Sequence, residues 1–162
     1  MDSVNKGLSH LDEEGDLHMV DVGSKAVTHR TAKAICRVRL LQSTLSQITS
    51  KTVKKGDVFV TAKVAGIFAA KRVHELIPLC HPLPVDHVDV HFVPDQKTGI
   101  LTIHTEVSVH GRTGAEMEAL QAAAQAALTV YDMCKSLDRE MVIYDLALVE
   151  KTGGKSGTWE RE

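Results

Sequence analysis

The chain has 162 residues and a formal net charge of −2, with 43% apolar, 25% charged and 4% aromatic residues. That length suits one compact domain with a real core. The charge balance and scarce aromatics exclude a basic nucleic-acid module or a single-strand binder working by stacking, and no apolar run reaches membrane-span length.

The first twenty or so residues are polar and broken by glycine, with no apolar signal core. They read as a loose arm, and cytoplasmic residence is the expectation. Cys36, Cys80 and Cys134 form an odd, sparse set without CxxC spacing. This favours reduced thiols over a disulfide framework or a zinc ribbon.

Residues 32–40 alternate, with Ala32, Ala34, Cys36, Val38 and Leu40 on one side and Lys33, Arg37 and Arg39 on the other. A period of two predicts a half-buried strand. Leu41 to Thr49 is a short helix candidate. Apolar residues then recur at three- and four-residue steps through Val58, Ala62, Ala65, Ala69, Val73 and Leu76. This predicts one helix over 57–76, ended by Pro78 and Pro82. Val85 to Val93 and Ile100 to His110 alternate around a Pro94–Gly99 turn, a hairpin pattern. Thr113 stands three residues before Glu116, a capping-box spacing. A long alanine-rich helix follows to about Leu137, then a strand from Met141 to Val149. Residues 151–162 read as a mobile tail.

The order β-α-α-β-β-α-β predicts an α+β fold, an antiparallel four-stranded sheet with helices on one face. Alanines on most sides of the long helix suggest more than one close neighbour, some of them in another subunit.

Several segments mix reactive side chains with sharp backbone punctuation. Asp132 and Lys135 share a helix face at i and i+3, fit for proton transfer or for a plain solvated ion pair. His81 is held between two prolines, which suits either a positioned imidazole or a structural corner. Cys80 and His81 are adjacent, which is awkward for one metal ion. His87, Asp89 and His91 alternate along one strand, as chelating side chains or as its wet face. Gly154-Lys155-Ser156 lacks the earlier glycine of a P-loop, since Val149 stands in its place, yet a glycine-rich loop with Lys151 and Lys155 can still meet phosphate. Glu116 and Glu118 open the long helix, where carboxylates also suit the helix dipole. Glu118 and Asp132 are separated by roughly 21 Å of helix, so one small ligand reaches both only if it is long or if two subunits share the site.

Six segments in order resemble the MoaC family, the cyclic pyranopterin monophosphate synthases. They are Lys55-Gly56-Asp57-Val58-Phe59, Ala65 to Arg72, Leu76 to Leu83, Thr113 to Leu120, Tyr131 to Lys135, and Lys151 to Gly157. Met19-Val20-Asp21-Val22 adds to them near the N-terminus. The resemblance implies a ferredoxin-like fold and a hexamer built as a trimer of dimers, with sites at interfaces. It implies a substrate made from GTP, a cyclised dihydro-GTP, converted to cyclic pyranopterin monophosphate with loss of pyrophosphate. No metal, radical or organic cofactor is implied. Asp132, Lys135 and Lys55 are expected to be catalytic. Leu79, Cys80, His81, Met117 and Glu118 are expected to contact substrate. Arg30 and Lys151 are expected to contact phosphate or sugar from a neighbouring subunit. Clustered lysines are expected to lower each other's pKa, with Asp132 opposing.

Overall fold

The structure is a computed structural model that describes residue 10 and residues 14–162. The expected N-terminal arm therefore lies in large part outside the described residues. The elements run β1 (Thr28–Arg39), α1 (Gln42–Thr49), α2 (Val58–Ala70), α3 (Val73–Leu76), β2 (Val85–Asp95), β3 (Ile100–Gly111), α4 (Glu116–Cys134), β4 (Val142–Thr152) and β5 (Trp159–Glu160). They form one sheet in the order β2-β3-β1-β4-β5, with every neighbouring pair antiparallel.

The first four strands in that order give the antiparallel α+β arrangement expected from the pattern, compatible with the ferredoxin-like fold that the resemblance implies. The fifth strand was not expected. It is two residues long, and Trp159 and Glu160 pair with Lys151 and Glu150 of β4. β4 itself runs three residues past Val149, so Lys151 and Thr152 belong to the sheet.

Alternation decides the faces. Ala32, Ala34, Cys36 and Val38 of β1 and Leu101, Ile103, Val107 and Val109 of β3 are all buried against the helices. The core continues through Leu45 and Ile48 of α1, Val58 and Ala62 of α2, and Ala123, Ala126, Ala127 and Val130 of α4. Cys36 and Cys134 are buried in it and Cys80 is half-buried; all three thiols are free.

Most of the alanines of α4 serve neighbours within the chain. Ala119, Ala122, Ala123, Ala126 and Ala127 are fully buried. Small side chains let α2 lie close alongside, and at the contact a Cβ on Gly66 would stand 2.9 Å from the Ala122 carbonyl oxygen. A glycine is required there because any side chain would push the two helices apart. Leu128 remains exposed on the outer side.

Two local expectations fail. The helix over 57–76 breaks after Ala70, where the Arg72 N–H bonds to the Ala69 carbonyl at 3.0 Å and Arg72 takes φ −127°. No glycine or proline signals the break, and the apolar spacing carries on across it. The capping box also does not form. The N-cap of α4 is Ala115, with no side-chain cap. Glu116 pairs instead with Lys151 of β4, far away in sequence.

Candidate active site

Polar chemistry gathers at both ends of α4. At its C-terminal end, Lys55 arrives from the loop between α1 and α2. That loop is anchored by Asp57, which caps α2 through the Val60 N–H at 3.1 Å and pairs with Lys51 at 2.9 Å. Lys55 Nζ donates to the backbone carbonyl of Asp132 at 2.8 Å. This satisfies one of the carbonyls a helix leaves free in its last turn. Lys135 Nζ meets Asp132 Oδ1 at 2.7 Å. So Lys55, Asp132 and Lys135 form one cluster, as expected.

The electrostatics of the cluster differ from the expectation. The Lys135 ion pair holds the Asp132 carboxyl below the ordinary range, with Lys55 adding to it. The same pair raises the Lys135 ammonium instead of lowering it. The hydrogen bond to the Asp132 carboxylate, and then its charge, set the direction of the shift at Lys135.

A small pocket of ≈ 310 Å³ opens beside the cluster, lined by Lys55, Tyr131, Lys135, Ser136 and Arg139. Arg139 was missed in the sequence. It follows the helix end, and only the turn brings it beside the two lysines. The Tyr131 hydroxyl fixes that turn by donating to the Arg139 carbonyl at 3.4 Å.

At the N-terminal end of α4 a second pocket, ≈ 300 Å³, brings together Leu79, Cys80, His81, Met117 and Glu118, with Val20, Lys25 and Glu116 also on its wall. The Pro78–Pro82 segment supplies one side and the first turn of α4 the other. Glu118 is only 4% exposed. Burial pushes its carboxyl up to about 7, helped by the nearby charge of Glu116. Burial, and then the Glu118 charge, also raises the Cys80 thiol.

Arg30 and Lys151 border the same end. Arg30 donates to the carbonyls of Gly111 and Arg112, both at 3.2 Å, in the turn that leads into α4. Gly154 lies over its guanidinium with φ +71°, where a Cβ would stand 2.3 Å from the nearer nitrogen. Lys151 pairs with Glu116 Oε1 at 2.8 Å, both half-buried.

The expected site residues thus fall into two groups separated by the length of α4. His87, Asp89 and His91 join neither. Asp89 pairs with Lys63 at 2.7 Å, and among the described residues no group of three or more His, Cys, Asp or Glu could hold a metal ion.

The arrangement defines a class: a ferredoxin-like α+β domain with a lysine–aspartate cluster at one end of its long helix and a Cys-His-Glu pocket at the other. The MoaC family model matches residues 19–154, and the chain belongs to that family. It is 52% identical over 151 residues to a cyclic pyranopterin monophosphate synthase of Desulforapulum autotrophicum, covering 93% of each chain. To the proteins of that name from Pelotomaculum thermopropionicum and Chloroflexus aggregans it is 53% and 54% identical, covering 96% of this chain and 92% and 94% of theirs.

Proposed function

We propose that this protein converts cyclised dihydro-GTP to cyclic pyranopterin monophosphate with release of pyrophosphate, in molybdenum cofactor biosynthesis. The observation that carries the reading is identity above half to synthases of that name over nearly the whole chain. The reaction opens a guanine-derived ring, rebuilds it and closes a cyclic phosphate. Those steps are proton transfers around C–N and P–O bonds. In this reading Lys55 and Lys135 move protons and stabilise charge on departing pyrophosphate, while Asp132 orients Lys135. Leu79, Cys80, His81, Met117 and Glu118 hold the ring system, and Arg30 and Lys151 meet phosphate or sugar.

The two residue groups are too far apart for one small ligand, so the complete site in this proposal lies between two copies of the chain. A hexamer built as a trimer of dimers supplies such interfaces. Support comes from an open apolar groove of ≈ 810 Å³ along α2, lined by Val60, Val64, Phe68 and Leu76. These side chains are exposed in the single chain, an extent of apolar surface that favours a protein contact. Cytoplasmic residence belongs to the same reading; among the described residues no helix is long and apolar enough to cross a membrane.

The test is pyrophosphate release from cyclised dihydro-GTP by the purified protein, with Lys55→Ala beside it. Release by the wild type alone supports both activity and lysine role. Tight binding without release sends the assignment to a non-catalytic nucleotide-binding regulator.

A further inference from the structure

Arg139 is the cation of the lysine–aspartate end that the fold leaves unused. Among the described residues its guanidinium makes no hydrogen bond and no ion pair. Its backbone, by contrast, is fixed on both sides. The Tyr131 hydroxyl donates to the Arg139 carbonyl at 3.4 Å. The preceding residue, Asp138, is only 4% exposed. Its carboxylate accepts from the Leu41 N–H at 2.7 Å and from the Glu140 N–H at 3.0 Å, which ties the turn to the start of α1. A long side chain with a free charged head is thus presented from a rigid base.

The charges around it are uneven. The pocket of ≈ 310 Å³ is lined by Lys55, Lys135 and Arg139 with Tyr131 and Ser136, and by no carboxylate. The acids of the adjoining turns are occupied. Asp132 is held by Lys135, and Asp138 by two backbone N–H groups. Glu140 lies on the wall of a different cavity, with Arg39. Lys55 is spent on a carbonyl, which cancels none of its charge. Two positive charges, those of Lys55 and Arg139, therefore stay uncompensated beside the pocket, and such an excess suits an anion of more than one charge. Lys55 offers a compact ammonium. Arg139 offers a planar fork that meets two phosphate oxygens at once.

We propose that Arg139 holds the two outer phosphates of the substrate and takes the diphosphate as it leaves. The inference rests on the proposed function and deepens it. As the cyclic phosphate closes, a substrate hydroxyl oxygen bonds to the innermost phosphorus. The bond from that phosphorus to the bridging oxygen breaks, its electron pair leaves with the diphosphate, and the hydroxyl proton passes to water. Arg139 exchanges no proton. It stays charged throughout and stabilises the charge that grows on the departing oxygens.

The experiment is calorimetric titration of the intact protein with pyrophosphate, GTP and GMP, with turnover of cyclised dihydro-GTP assayed on the same preparations. Arg139→Ala should bind pyrophosphate and GTP about tenfold or more weakly, and GMP, which lacks the outer phosphates, as tightly as wild type. Arg139→Lys keeps the charge and loses the fork, and should fall between. Lys97→Ala removes one exposed positive charge from the turn between β2 and β3, and should bind all three as wild type does. Arg139→Ala should also keep the wild-type urea midpoint, because its guanidinium bonds nothing within the chain. Equal pyrophosphate binding by wild type and Arg139→Ala overturns the inference. So does an equal loss for GTP and GMP, or the same loss in Lys97→Ala. Wild-type turnover beside any of these results leaves the proposed function standing. No turnover, with pyrophosphate binding that depends on Arg139, removes the functional reading and leaves a diphosphate site.

Discussion

Lys55 donates to the backbone carbonyl of Asp132, not to its carboxylate, which is left to Lys135. The two lysines therefore depend differently on Asp132. Asp132→Asn keeps the carbonyl, so Lys55 stays anchored. Lys135 loses the partner that raises its pKa. Activity should fall by about two orders of magnitude or more. If Lys135 sets the alkaline limb of the pH–rate profile, that limb should move to lower pH in the variant, since removal of a carboxylate lowers an ammonium pKa. A limb that stays in place or moves upward would contradict the assignment.

The same geometry separates the lysine variants by stability. Lys55 bridges two elements and satisfies the end of α4, where a positive charge also suits the helix dipole. Lys55→Ala should lose about 0.5–1 kcal/mol of stability as well as turnover. Lys135 is exposed and holds one surface ion pair, so Lys135→Ala should lose turnover with unfolding unchanged. Denaturant midpoints measured beside pyrophosphate release check both. Normal turnover by Lys135→Ala would remove it from the catalytic set.

Much of the fold was legible because it rests on short periods. Alternation from Ala32 to Val38 is the inner face of β1, and Ala119, Ala122, Ala123, Ala126 and Ala127 are on the buried side of α4. What escaped depends on contacts distant in sequence. The spacing across Lys71 and Arg72 stays helical, so the break after Ala70 leaves no mark in the pattern. Glu116 reads as a capping-box residue until the sheet brings Lys151 within 2.8 Å. β5 is two residues of an otherwise polar segment and exists only because β4 offers an edge. The family motifs named the side chains that the fold gathers at the two ends of α4, and the burial of Glu118 was not legible, since a carboxylate in a first helical turn normally faces water.

That burial gives Glu118 a signature in stability. Its carboxyl is raised from an ordinary value of 4.5 to about 7. Below pH 4.5 it is neutral in both folded and unfolded chains and costs nothing. As pH climbs from 4.5 toward 7 the unfolded chain ionises first, so folded stability declines, by up to about 3 kcal/mol. Glu118→Gln lacks this decline. Its stability relative to wild type should rise between pH 4.5 and pH 8, measured by urea unfolding at each pH. A difference that does not change with pH would show that the carboxyl titrates normally.

Gly154 is the position where backbone shape controls a site side chain. Its φ of +71° is costly for other residues, and a Cβ would run into the Arg30 guanidinium. Gly154→Ala should displace Arg30 from the Gly111 and Arg112 carbonyls. We expect a rise in KM of about tenfold with a smaller change in kcat, because a phosphate or sugar contact is disturbed while the Lys55–Lys135 cluster is untouched. A variant with unchanged KM would separate Arg30 from substrate binding.

The length of α4 makes the last prediction the most demanding one. Glu118 and Asp132 are fourteen residues apart on one helix, roughly 21 Å. If each complete site takes its lysine–aspartate end from one copy and its Glu118 end from another, two different inactive variants should rescue each other. Lys135→Ala spoils one half-site and Glu118→Ala the other. In a mixed pair both lesions fall in the same site and leave the second site intact. Random reassembly of equal amounts should therefore restore about a quarter of wild-type activity, since half of the pairs are mixed and each has one good site of two. The check is pyrophosphate release after the two proteins are unfolded together, refolded and compared with each refolded alone. Restoration requires a shared interface. Absence of any gain, in refolded protein whose oligomeric size matches wild type, places all the chemistry within one chain and withdraws the two-subunit site.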